Sequence, residues 1–288
     1  MLAHTYFGTN RLKNMKLLEL KQKVINKILL IKAITIYTFQ QETAYWANTW
    51  AHVLSTFFYM LSMILFIDVV YSNVNLVAGY TKNEMLLFLL MAQATYYLSW
   101  TIYGNLIDLV ENVNNGNLDL VLVKPISSLF YITFRRIRLF RVAMDGIPPL
   151  IFLALAINWS ALNISFLPLL IGIIISVMGT VCSLSFHLLA TLPVFWVGES
   201  RNIVEFTSHF EYNVGKIIPL EGYGKDFKFF FSTIFPFLIS TGFSTSVILG
   251  KSEPLPTLLW GLTVTILMLT VRQFAWNKAL KVYTSASS

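Results

Sequence analysis

The sequence predicts an all-α, polytopic membrane protein. It would have six transmembrane helices, an N-terminal amphipathic helix in the interface and, on one reading, an external re-entrant hairpin before the last span. Three observations predict this. Only 12% of the 288 residues are charged and 56% are hydrophobic, whereas a soluble domain averages about 25% charged, so the chain cannot cover a water-facing surface. Apolar runs recur near the ~20 residues that cross ~30 Å of hydrocarbon. Between two pairs of these runs lies one well-charged stretch with Lys124, Arg135, Arg136, Arg138 and Arg141. Basic residues in short loops stay on the cytoplasmic side, which assigns residues 104–141 to the cytoplasm and orients the other crossings.

Charge and cysteine usage narrow the class further. The net charge is +7 and the pI about 9.4. The cations flank apolar runs, which suits anionic lipid headgroups and argues against nucleic acid as a partner. Cys182 is the only cysteine and lies in an apolar run, so neither a disulfide framework nor a cysteine metal site is expected. The first long apolar run begins near Trp50 behind a lysine-rich leader, unlike a cleavable signal. The halves do not repeat and no low-complexity linker divides them. The chain therefore reads as a single domain, 1–288, with 1–45 as leader and interfacial helix and 46–288 as the bundle.

Residues 1–10 are polar and expected to be disordered. From Lys13 to Lys32 six lysines alternate with apolar residues, and Leu17, Leu20, Val24, Ile28 and Ile31 recur at spacings of three and four. That is one helical face, with Lys16, Lys23, Lys27 and Lys32 mostly off it, as in a helix lying in the cytoplasmic interface. The first span runs from Trp50 to Tyr71, with Trp46 and Trp50 at headgroup level and Asp68 near its end. An external loop, 72–83, leads to a second span from Met85 to Tyr103. The cytoplasmic segment 104–141 follows. The third span runs from Leu139 to Trp159, the uncharged loop 158–166 is external, and the fourth span runs from Leu167 to Phe195. Trp260 to Trp276 is the last span, with Arg272, Lys278 and Lys281 holding the C-terminus inside. Parity allows one further crossing. Phe229–Gly250 is more apolar but broken by Pro236 and Gly242; Val194–Tyr212 carries Glu199, Arg201, Glu205, His209 and Glu211. Either gives six spans with both termini cytoplasmic.

Ionisable residues within spans are candidates for function. Asp145 is one, but Arg141 precedes it by one helical turn and an ion pair is the simpler reading. His187 and Cys182 are five apart, on different helical faces and too few to bind a metal; His187 reads as a hydrogen-bonded packing residue. Glu199, Arg201 and Glu205 either line a polar cavity or pair with one another. Gly250-Lys251-Ser252 resembles the end of a phosphate loop, but Thr245 stands where that loop needs glycine and Pro254 and Pro256 follow, so it is rejected. No zinc-protease helix or nucleophile elbow occurs. Gly172, Ser176 and Thr180, four apart, permit close helix approach, either within the chain or between subunits. Asn158-Trp-Ser160 and Asn163-Ile-Ser165 match glycosylation acceptors.

Motifs in order add a resemblance. Gly116-Asn-Leu-Asp-Leu-Val-Leu-Val-Lys-Pro125 lies between the second and third spans. Phe195-Trp196 closes the fourth. Pro219 precedes a basic-aromatic stretch, then Phe235-Pro236-Phe237 and Leu249-Gly250. The tail reads Trp276…Leu280…Tyr283-Thr-Ser285-Ala-Ser287. Together these resemble type-2 ATP-binding-cassette permeases, in the subgroup with a Gly-x-Leu-Asp…Pro cytoplasmic loop, over roughly residues 30–288. Thr241, Gly242 and Phe243 depart from that subgroup, which usually has a proline there. The resemblance implies that 194–212 is the fifth crossing, followed by an external re-entrant hairpin.

The resemblance also implies a permease subunit of an exporter with no cofactor of its own, ATP being bound by a separate ATPase subunit. Its partners would be that ATPase, a second permease copy or sister permease, and membrane lipids. Coupling would pass through a short helix within Asn105–Pro125. Ile107, Leu109, Val110 and Val113 would supply apolar contact, Asp108, Glu111 and Asp119 polar contact, and Gly116, Leu118 and Pro125 the turn. The expected location is the plasma membrane, the inner membrane of a bacterium. A secondary transporter or channel would need its own polar pathway, for which Glu199–Glu211 is the candidate. An intramembrane enzyme would need a convergent His/Glu/Ser site.

Overall fold

The computed structural model describes residues 3–43 and 46–284; the side chains before Lys21 and those of Lys23, Glu42, residues 46–49 and Arg141 fall outside that description. The predicted lipid face at Leu17 and Leu20, the headgroup role of Trp46, the Arg141–Asp145 pair and the Ser285–Ser287 tail lie outside it too. Among the described residues regular structure is helical, apart from an isolated Val77–Tyr80 bridge.

Helix α1 spans Ala3–Thr43, longer at both ends than the 13–32 predicted, and it includes residues expected to be disordered. Val24, Ile25, Ile28 and Leu29 stand exposed along it, as do Lys21, Asn26 and Lys27. Phe39 docks edge-on against Phe140 with centroids 5.0 Å apart, and Lys27 sits over the Phe130 ring at 5.0 Å. Helix α2, Trp46–Tyr71, contains the first predicted span.

Helix α3 runs unbroken from Lys82 to Asn114. Glu84 Oε2 accepts from the Thr81 backbone N–H at 2.7 Å to cap its start. The predicted span ended at Tyr103 because polar residues accumulate there. The helix continues because Leu106, Leu109, Val110 and Val113 keep the three-and-four spacing and are all buried. Thirty-three residues make a rod about 50 Å long, longer than the hydrocarbon is thick, so the last turns stand beyond any span. Gly116 then turns the chain at φ 72° into α4 (Asp119–Leu122) and α5 (Ser128–Phe134). The third predicted span is α6, Leu139–Ala156, which carries Asp145, Pro148 and Pro149.

Helix α7, Phe166–Thr191, is the axis of the bundle, extended by α8, Val194–Val197. Next come α9, Arg201–Gly215, and α10, Lys225–Thr233. The apolar run 229–250 is not one helix. Pro236 supplies no donor, and the chain passes through Phe235-Pro236-Phe237 into a π-helical turn, Ile239–Phe243, and then α11, Ser244–Ile248. Helix α12 spans Pro254–Val282. Among the described residues four helical stretches are long and apolar enough to cross a membrane: 50–71, 82–114, 166–197 and 254–282.

Contacts order the pieces along α7. A Cβ on Gly172 would lie 2.9 Å from the Ser244 carbonyl, and one on Gly179 would lie 2.7 Å from the Ile239 carbonyl carbon. Phe186 meets Phe235 and Phe237 at 5.0 and 5.2 Å. The chain from 235 to 248 therefore runs antiparallel to α7 at backbone contact. The small residues of α7 are spent on this internal face, not on a surface.

Candidate functional site

The basic end of the bundle is a packed unit. Asn105 Nδ2 donates to the carbonyls of Thr133 and Arg136 at 2.9 and 2.8 Å, stitching α3 to the chain after α5. Arg135 and Arg136 both reach Asp108 Oδ2, at 2.8 and 2.9 Å, and Arg201 bridges to Glu111 at 2.5 Å. Leu109, Val110, Val113 and Leu118 join Leu129, Ile132, Phe195 and Trp276 in one buried cluster. Of the sequence-predicted coupling residues, Val110 and Leu118 are therefore core, and Asp108 and Glu111 hold ion pairs inside the chain. Ile107 turns toward a cavity described below. Asp119 lies beside the Tyr283 hydroxyl, and burial, then this carboxylate, push the Tyr283 phenol above its usual value. The surface left open is the turn after Gly116: Leu120 is 66% and Val123 80% exposed, with Leu122, Lys124 and Pro125 exposed beside them.

A cavity of about 730 Å³ opens between α2, α3, α6 and α9. Its main wall is an aromatic ladder on α3: Tyr96 stacks on Trp100 at 5.8 Å, and Trp100 on Tyr103 at 5.7 Å. Positions 96, 100 and 103 fall at helical spacing, so one face presents all three rings. Tyr59 of α2 hydrogen-bonds to the Tyr212 hydroxyl of α9, which also accepts from Gln93 Nε2 at 3.3 Å and closes one end. Asp145 of α6 and Glu205, Ser208 and His209 of α9 add polar groups. Of the two readings for Glu199, Arg201 and Glu205, both hold in part: the Arg201 backbone N–H donates to Glu199 Oε1 at 2.6 Å and its side chain pairs with Glu111, while Glu205 lines the cavity.

Behind the Tyr212 wall lies a second polar group, fully inside the bundle. Glu211 Oε2 is 2.6 Å from both His187 Nε2 and Ser183 Oγ, and Lys216 Nζ is 3.5 Å from Oε1. Thr207 Oγ1 lies 3.2 Å from His187 Nδ1. These side chains are buried, and burying a charge demands such partners. His187 is thus the hydrogen-bonded packing residue the sequence suggested, and Cys182 packs with its sulfur 3.3 Å from Thr265 Oγ1. Among the described residues no three His, Cys, Asp or Glu side chains are grouped to hold a metal. Lys251 of the rejected phosphate-loop pattern pairs with Glu84 at 3.0 Å.

Sequence reasoning missed the Glu211–Lys216 pair and the aromatic ladder. The ladder had a usable signal, since aromatic residues at i, i+4 and i+7 share a face. Lys216 follows Glu211 by five residues at the end of α9, a spacing that does not by itself say that both side chains are buried.

Comparison with known proteins adds one finding. The family described as "ABC-2 family transporter protein" matches residues 57–287. No curated protein and no solved structure matches the chain.

Proposed function

The chain belongs to the ABC-2 family of transporter proteins, and on that premise we propose that it is the transmembrane permease subunit of an ATP-driven exporter. A separate ATPase subunit binds and hydrolyses the nucleotide, and a second permease, identical or a sister chain, completes the pathway. The basic end is cytoplasmic, as are both termini.

The observation that carries this reading is the polar, open face of α9. Asn202, Glu205, His209 and Asn213 are exposed on one side of it and continue from the cavity. Lipid cannot satisfy such groups. A pathway shared with a second permease can. The chain from 201 to 222 supports a fifth crossing. It begins where Arg201 meets Glu111 at the basic end and finishes where Glu221 Oε1 accepts from Ser246 Oγ at 2.6 Å, near the opposite end. Residues 225–248 then form an external re-entrant hairpin, its tip at Phe235–Phe237 against Phe186 and its return limb beside Gly179 and Gly172. Irregular backbone at membrane depth is tolerated when protein surrounds it.

Coupling is assigned to the basic end. The predicted apolar contacts Leu109, Val110 and Val113 lie within the core, as does Leu118, so the docking surface for the ATPase is the exposed turn Leu120–Pro125, with Asn114, Asn115 and Asn117 beside it. Gly116 and Asp119 join that turn to the end of α3 and to Tyr283 after α12, while Asp108 and Glu111 tie α3 to the chain before α6 and to α9, so a push on it moves the helices as a body.

The test uses cysteines at Asn117 and Lys124 in a chain whose Cys182 is replaced. Both should crosslink to an ATPase subunit in native membranes. Labelling of either by a membrane-impermeant thiol reagent from outside intact cells would reverse the topology and end the reading. Micromolar ATP binding by the purified chain alone would also count against it.

A further inference from the structure

Resting on the permease reading, we propose that the cavity between α2, α3, α6 and α9 takes an amphiphilic organic cation: an apolar body carrying a quaternary or delocalised positive charge. At about 730 Å³ the cavity is of the size that encloses a drug-sized molecule, roughly 300–1,000 Å³.

The lining argues for this class by charge and by ring chemistry. The chain has 21 Lys and Arg against 14 Asp and Glu, yet the exposed carboxylate of Glu205 lines the cavity and among the described residues no lysine or arginine does. The bias of the site is opposite to that of the protein. The rest of the wall is dominated by Trp100, Tyr96, Tyr97, Tyr103, Tyr59 and Tyr212. Aromatic faces attract cations, tryptophan most strongly, and more so where water is excluded. The ladder already does this once: the Lys216 ammonium sits over the Tyr96 ring, 5.3 Å from its centroid, with Glu211 as counter-charge. An anion would find the π faces and Glu205 repulsive.

Position fits loading from the cytoplasmic side. Glu205 is one helical turn from Arg201, and Ile107 one residue from Asp108, so this mouth adjoins the basic end. The far end is shut by the Tyr59–Tyr212 and Gln93–Tyr212 hydrogen bonds. A lipophilic cation entering from the inner leaflet would meet the carboxylate first and the ring ladder next.

Two probes of equal shape and opposite charge decide the matter. Tetraphenylphosphonium and tetraphenylborate are equilibrated with the full chain in nanodiscs of neutral lipid. Saturable binding of the cation and none of the anion is expected. Trp100→Ala should weaken it about tenfold, equivalent to about 1.4 kcal/mol, and Trp100→Phe should restore most of it. Glu205→Gln, an isosteric change at an exposed position, should leave folding intact and weaken binding several-fold. Equal binding of the anion, or affinity unchanged in both Trp100→Ala and Glu205→Gln, would overturn the proposal. Co-purification of an ATPase is scored on the same preparation. An ATPase present with no cation binding removes the substrate class and leaves the permease reading intact; cation binding that depends on Trp100 and Glu205 with no ATPase does the reverse.

Discussion

Asp119 and Lys216 show how differently one side chain can matter. Asp119 sits at the start of α4 beside the Tyr283 hydroxyl, so it ties the turn that offers Leu120 and Val123 to the C-terminal end of α12. A carboxylate there is readily hydrated, and Asp119→Ala should change stability by no more than about 0.5 kcal/mol. Its expected effect is on coupling: efflux falls while membrane abundance and ATPase co-purification hold. Unchanged efflux at unchanged abundance would remove the coupling role. Lys216 is the opposite case. It is 5% exposed and its nearest carboxylate, Glu211, is equally buried. Lys216→Met leaves that carboxylate short of a cation, and breaking a buried pair in this way costs about 3–5 kcal/mol. Loss of the monodisperse protein peak after mild heating would register it, whereas Lys216→Arg should retain much of the wild-type behaviour.

At the scale of elements, the hairpin is held by backbone approach to α7. A Cβ at Gly179 would overlap the Ser240 backbone and lie 2.7 Å from the Ile239 carbonyl carbon. Backbone has nowhere to yield, so Gly179→Ala should destabilise by about 1–3 kcal/mol of overpacking, despite alanine's better helix propensity. Gly261 in α12 is the control. Its added Cβ would meet Met178 Cε at 3.6 Å, an ordinary contact, so Gly261→Ala should be neutral. Thermal denaturation of the two variants in detergent separates them; equal melting temperatures would mean the hairpin does not rest on α7 as described. The π-helical turn Ile239–Phe243 lies at this contact, where its extra residue sets the hairpin's return limb in register with the glycines.

For the whole molecule, the decisive property is which faces water can reach. Leu155 on α6 is 79% exposed and apolar, which suits lipid, while the exposed His209 on α9 lines the cavity. In a Cys182→Ala background, a charged water-soluble thiol reagent should modify His209→Cys in membranes and leave Leu155→Cys unmodified. Failure to modify the cysteine at 209 would show that α9 does not face an aqueous path, and the shared-pathway reading would fall with it.

The sequence by itself determined the membrane class, the helical content and the first, second, fourth and last candidate spans, because a helical run of ~20 apolar residues is long enough to cross the hydrocarbon with its backbone groups satisfied. The motifs along the chain pointed to the family that matches residues 57–287. It also placed Asn105–Pro125 in one polar stretch. Tertiary structure decided what that stretch presents. Val110 and Leu118 face the core and Val123 faces out, because α3 continues past the point where hydropathy falls and its apolar face remains covered. It decided that Gly172, Ser176 and Thr180 pack internally, since any surface that accepts a close backbone would satisfy the spacing and only the fold brings Ser240 and Ser244 there. It decided, too, that the most apolar candidate for a fifth span is broken at Pro236. Hydropathy sums composition over a window, whereas a helix also needs every turn to supply its donor, and the burial of Glu211 depends on α9 packing its carboxylate against Ser183 and His187 of α7.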